Sequence, residues 1–112
     1  MVRFASKNEL LPGTLEMLIL QTLTRGAMHG YGIAQNIQEI SDDVLQVEEG
    51  SLYPALQRLL VKGWVKAEWG TSDNNRRARY YTLTAAGKKQ LGVEAENFDR
   101  MVRAIARVMQ TT

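Results

Sequence analysis

The chain has 112 residues, 45% hydrophobic and 23% charged, with 9 Gly, 2 Pro and no Cys. That length supports one domain and excludes a two-domain enzyme, and without Cys there is no disulfide frame, zinc finger or thiol chemistry. The formal net charge of +2 is unevenly spread, with −3 over residues 1–48, +5 over 49–90 and balance over 91–112, so the middle segment is the part that attracts polyanions.

The longest wholly apolar run, Met17-Leu18-Ile19-Leu20, is far short of the roughly 18 residues that span a bilayer. The first residues lack the apolar stretch of a signal peptide. A cytoplasmic protein is therefore expected. Pro12-Gly13-Thr14 punctuates the start and opens a helix at about Thr14. Leu15, Leu18, Ile19, Thr22 and Leu23 recur at helical spacing until Gly26 closes the pattern. His29-Gly30-Tyr31-Gly32 reads as a turn, with His29 in a turn or capping role. Ile33, Ile37 and Ile40 then predict a second helix to about Ser41, followed by a short connection through Val47. A third helix is expected over residues 50–62, with Pro54 in its first turn, where a missing N–H is harmless.

Beyond Gly63 the period changes from 3.6 to 2. Residues 64–69 and 79–83 alternate as strands, and residues 70–77 have the composition of a hairpin loop. Thr84 is a good N-cap for a last helix reaching about Met109. The expected fold is mainly α with a small β-hairpin wing: a winged helix-turn-helix plus a long C-terminal helix. The expected division is an N-terminal arm (residues 1–13), a winged domain (14–84) and a dimerisation helix (85–112).

The third helix carries the most information. At 100° per residue, Leu52, Leu56, Leu59 and Leu60 share one arc and face the core. Ser51, Pro54, Ala55, Arg58 and Lys62 are expected on the opposite arc, with Tyr53 and Gln57 on a flank. Small residues with two cations make a surface that can enter a major groove, where Arg58 would donate to guanine or contact phosphate. The hairpin adds Asn74, Asn75, Arg76, Arg77 and Arg79, interleaved with Tyr80 and Tyr81. Such a loop suits a phosphate backbone and a narrow minor groove.

Leu11-Pro12-Gly13-Thr14-Leu15, His29-Gly30-Tyr31-Gly32-Ile33 and Glu49-Gly50-Ser51-Leu52-Tyr53-Pro54-Ala55-Leu56 resemble the PadR-type bacterial transcriptional regulators. Arg76-Arg77-Ala78-Arg79-Tyr80-Tyr81 and Leu83-Thr84-Ala85-Ala86-Gly87 do so as well. The resemblance runs from about Leu11 to Leu91. It implies that residues 50–62 form a DNA-recognition helix and that the hairpin around Asn74 to Arg77 is the wing. It also implies a dimer joined through the C-terminal helix, acting as a repressor on double-stranded DNA. Some small members with drug-sensing roles carry a Trp in the last helix; here Phe98 is the only aromatic residue of that segment.

Leu91, Ala95, Phe98, Val102, Ile105 and Met109 are spaced 4, 3, 4, 3 and 4 residues apart, as in the a/d seam of a coiled coil. They are the expected dimer interface. If two such helices cross at Phe98, then Phe98, Met101 and Val102 would line an apolar pocket for a small-molecule effector of unknown identity. An enzyme is disfavoured: there is one His, and Ser51 lacks a Gly-x-Ser-x-Gly frame. The acidic residues Asp42, Asp43, Glu48 and Glu49 lack EF-hand spacing, so no metal and no cofactor are expected. The remaining alternative is a winged-helix module that docks protein without specific DNA binding, and the arginine-rich wing argues against it.

Overall fold

In the computed structural model, which describes residues 12–110, the first helix α1 (Pro12–Leu23) starts two residues before Thr14. Most of the arm expected over residues 1–13 thus lies outside the described residues, and its last two belong to α1. α1 buries Leu15, Ile19, Leu20 and Leu23. A two-residue strand, β1 (Met28–His29), follows and runs directly into α2 (Gly30–Ile40). The turn expected at residues 29–32 is therefore a strand end fused to the first turn of a helix. His29 serves both: its backbone pairs opposite Tyr80, and its Nδ1 accepts a hydrogen bond from the Gly32 N–H at 3.0 Å. That bond satisfies one of the orphan donors of the helix start.

α2 ends where Asp42 and Asp43 take left-handed backbone, with φ of 57° and 66°. Aspartate tolerates this conformation better than most residues with a side chain. Ile40, expected on the inner face, is exposed, because α2 has already passed the edge of the core by its last turn. α3 (Glu49–Val61), β2 (Val65–Thr71), β3 (Arg77–Leu83) and α4 (Ala85–Gln110) complete the chain. The three strands form one antiparallel sheet in the order β1-β3-β2. Val65 stands opposite Leu83 and Thr71 opposite Arg77, so the hairpin loop shortens to residues 72–76.

The core is contributed by every layer. Ile19, Leu20, Ile33, Leu52, Leu56 and Leu59 are completely enclosed; Val65 and Tyr81 close it from the sheet, and Leu91 from α4. Burial of such side chains stabilises by about 1.5–3 kcal/mol each and is the main term holding the helices together. Leu91 corrects an expectation: it was assigned to a dimer seam, but it is 8% exposed and packs within its own chain.

The seat of α4 is unusually close. Thr84 Oγ1 donates to the Gly63 carbonyl at 2.8 Å and accepts from the Gly87 N–H at 3.0 Å, capping the helix as its sequence suggested. The Thr84 N–H donates to the Trp64 carbonyl at 3.1 Å. A Cβ on Gly87 would lie 2.0 Å from that same carbonyl oxygen, so only glycine fits. From this seat α4 runs 26 residues, about 39 Å at 1.5 Å per residue. Past Leu91 it leaves the core, and Val93, Phe98, Met101, Val102, Ile105, Val108 and Met109 are all exposed.

Gly87→Ala is expected to destabilise the fold by at least the roughly 1–3 kcal/mol typical of overpacking, read as a lower urea midpoint at constant slope. Gly92→Ala, with open space around its position, should instead leave stability unchanged or raise it by up to about 1 kcal/mol.

Candidate nucleic-acid interface

The surface of α3 follows from which residues its core side takes. Ala55 is fully buried beside Leu52, Leu56 and Leu59, not on the outward arc where it was expected. Adding Ala55 to the inner arc rotates the outer one, whose centre becomes Gly50, Pro54, Gln57 and Val61, all exposed. Val61, at 77% exposure, was not among the expected site residues. It is a β-branched apolar side chain of the kind that meets a thymine methyl in a major groove.

Arg58 and Lys62 lie a quarter-turn away, on the flank that faces α1. There Arg58 Nε meets Glu16 Oε2 at 2.5 Å, and Lys62 Nζ stands 3.5 Å from Glu16 Oε1. Lys62 also lies over the Trp64 ring at 4.8 Å. Arg58, expected to contact guanine or phosphate, thus projects from a flank of α3 and not from the centre of its outer arc. Ser51 shares that flank within the first turn of the helix.

Tyr53 occupies the opposite flank and rests on the start of α2. A Cβ on Gly30 would come within 2.8 Å of the Tyr53 hydroxyl, so the ring lies directly over that glycine. Burial, then the nearby Glu49 carboxylate and Tyr81, raise the Tyr53 phenol above its ordinary value. It remains a neutral hydrogen-bonding group at physiological pH.

The wing is organised by one exposed indole. Strand alternation puts Trp69, Arg77, Arg79 and Tyr81 on the same face, with Trp69 directly opposite Arg79. Arg77 stacks on Trp69 at 4.5 Å from the ring centroid, and Arg79 lies 5.9 Å from both Trp69 and Tyr81. Stacking holds the two guanidinium groups along the strand while leaving their N–H edges open to an anion. Asn74, Asn75 and Arg76 form the exposed tip. Asn75 adopts φ of 62°, which an asparagine accepts in a tight turn.

The arginine face of the wing, Tyr53 of α3 and the His29-Gly30-Tyr31 entry to α2 border one groove of about 790 Å³. The expected site residues Tyr53, Asn74, Arg76, Arg77 and Arg79 meet there, with Trp69 and Tyr31 added by the structure. Trp69 was legible in the alternation that puts it level with Arg79, although composition alone gives no reason to choose it. Among the described residues no group of three or more His, Cys, Asp and Glu could hold a metal ion, and no helix is long and apolar enough to cross a membrane.

The second expected site lies on α4. Phe98 and Met101 line an open groove of about 310 Å³ with Met17 and Thr14 of α1. Val102, expected to join them, is not part of its lining and lies further out on the exposed stripe.

Residues 19–93 match the transcriptional regulator PadR-like family. The negative transcriptional regulator PadR of Bacillus subtilis is 27% identical over 77 residues, a match covering 69% of this chain and 42% of that protein. A transcriptional regulator from Clostridium thermocellum is 29% identical and superimposes with a TM-score of 0.78 over 85% of this chain and 92% of its own. A PadR family transcription regulator from Clostridium difficile is 26% identical, with a TM-score of 0.73 over 85% of this chain and 97% of its own.

Trp69→Ala is expected to weaken binding to a labelled DNA duplex about two- to fivefold, the equivalent of roughly 0.5–1 kcal/mol for an exposed cation–π contact, with Trp69→Phe recovering part of the loss. Fluorescence anisotropy measures both; equal affinity in all three proteins would remove the indole from the interface.

Proposed function

The chain belongs to the PadR-like family of transcriptional regulators, and from that premise we propose that it is a sequence-specific repressor that binds a pseudo-palindromic operator as a homodimer. The observation that carries the reading is that Tyr53, on one flank of α3, and the arginine face of the wing border the same groove. α3 enters the major groove with Pro54, Gln57 and Val61 towards the bases and with Ser51 and Tyr53 on its two flanks. Of these, Gln57 is exposed and carries the amide that can bond adenine in bidentate fashion. Arg76, Arg77 and Arg79, with Asn74 and Asn75, follow the phosphate backbone and the adjoining minor groove. Arg58 and Lys62 serve at the edge of the contact.

The repressor role is supported by the relative named a negative transcriptional regulator. Dimerisation is supported by the uncovered stripe of α4, on which Ala95, Phe98, Val102, Ile105 and Met109 keep the a/d spacing. Two protomers joined there would set their recognition helices roughly 34–36 Å apart, one turn of DNA. In the proposed division of labour, residues up to Leu91 form the reading unit and the rest of α4 forms the joint. A small-molecule effector, if the protein takes one, would enter beside Phe98 and Met101. Its site of action is the cytoplasm, with the genome.

Nuclease protection of genomic DNA tests the reading, which requires one discrete footprint with internal two-fold symmetry. Gln57→Ala is expected to cost about 1–3 kcal/mol at the operator and to relax preference at one position. Arg77→Ala should weaken operator and random DNA alike and lower the slope of log affinity against log salt by about one.

For the joint, Phe98→Asp combined with Val102→Asp is expected to give monomers by sedimentation and to lower operator affinity towards the non-specific range of about 10⁻⁴–10⁻⁶ M. A double variant that stays dimeric and binds normally would place the joint elsewhere.

A further inference from the structure

Glu16 has no role in either surface proposed above, yet it is an acidic residue with a fixed position. It is 9% exposed, on a helix whose neighbours Leu15, Met17, Ile19 and Leu20 are themselves buried. α1 therefore cannot turn to release it. Its two carboxylate oxygens are divided, Oε2 to Arg58 and Oε1 to Lys62. Those two cations sit one helical turn apart on the flank of α3 beside the reading face. Without Glu16 they would be two uncompensated positive side chains at the edge of a DNA contact, Lys62 held only by its place over the Trp64 ring. With it, the three groups carry a net charge of one instead of two, and the side chains are drawn towards α1.

We propose that Glu16 is a specificity-determining positioning residue for DNA recognition. By holding Arg58 and Lys62 against α1, it suppresses their attraction to arbitrary phosphates and leaves discrimination to the uncharged face of α3. The physical basis is that non-specific affinity depends on how many phosphates the protein neutralises, whereas specificity is the ratio of operator to random binding. A carboxylate that restrains two cations lowers the first quantity more than it lowers operator affinity. The inference rests on the DNA-reading role of α3 and concerns a residue of α1 that touches no base.

The test uses the full chain, a random-sequence duplex, and a duplex selected by the wild-type protein from a random library. For both DNAs, affinity is measured by anisotropy over a range of salt concentrations. Glu16→Gln is expected to raise random-duplex affinity about tenfold at low salt and to steepen the salt slope by one to two contacts' worth, about 0.9 for each phosphate. Selected-duplex affinity should rise less, so the selectivity ratio falls. Adding Lys62→Met to Glu16→Gln should remove about half of the gain.

A merely structural clamp predicts the opposite: both affinities fall together with stability and the slope does not rise. That result, or an unchanged slope in a folded Glu16→Gln protein, overturns the inference. If Glu16→Gln does not fold, Lys62→Met in the wild-type background decides. A slope change well below one supports restraint by Glu16, and a full change of about one overturns it. Failure of the DNA reading itself looks different, because the wild-type protein would then select no duplex from the library.

Discussion

The arrangement of this protein depends on one backbone contact, the approach of the first turn of α4 to the Trp64 carbonyl. Thr84 ties the helix start to Gly63 and Trp64, and Gly87 lets the helix lie against that carbonyl without an intervening side chain. The same corner is the end of α3 and the base of the hairpin. It therefore fixes three directions at once: that of the helix bearing Gln57, that of the strands bearing Trp69 and Arg77, and that of the long helix that overhangs. A shift of α4 here would be felt at both the groove and the exposed stripe. Packed interiors transmit displacement because they leave no free volume to absorb it.

The two exposed regions differ in the physics that leaves them exposed. The groove side is cationic and aromatic, with guanidinium groups held by stacking on Trp69 beside the phenol of Tyr53. Tyr31, Tyr53, Trp69 and Tyr81 line it between those cations, and the cations make it adhesive to a polyanion. The outer half of α4 is a helix with apolar residues on one stripe and no core to place them against. A contiguous exposed stripe of this kind marks a protein contact more often than a solvated surface. The charges beside it run acidic at Glu94, Glu96 and Asp99 and basic at Arg100, Arg103 and Arg107, with Arg103 paired to Asp99 within the helix.

α1 stands between these regions. Met17 faces the groove beside Phe98 and Met101, while its neighbour Glu16 holds the flank of α3. One helix thus touches both the outer part of α4 and the flank of α3 on successive residues.

Local patterning determined much of this. Period 3.6 in the helices, period 2 in the strands, Thr84 as a cap and the basic composition of the hairpin identified a winged helix-turn-helix with a long last helix. These are properties of short stretches, set by dihedral preference and by which side chains prefer water. What tertiary structure alone decided were the features that depend on distant partners. β1 exists because Met28 and His29 find Tyr81 and Tyr80, some fifty residues away, across a sheet edge. Ala55 is inside because the core extends that far around α3, and its burial turns Arg58 off the centre of the helix's outer face. Arg58 then lies on Glu16, 42 residues distant along the chain, a pairing that no periodicity encodes. Leu91 belongs to the fold and Phe98 does not, although the heptad spacing treats them alike. A helical pattern states which residues share a face; only packing decides where along that face the core stops.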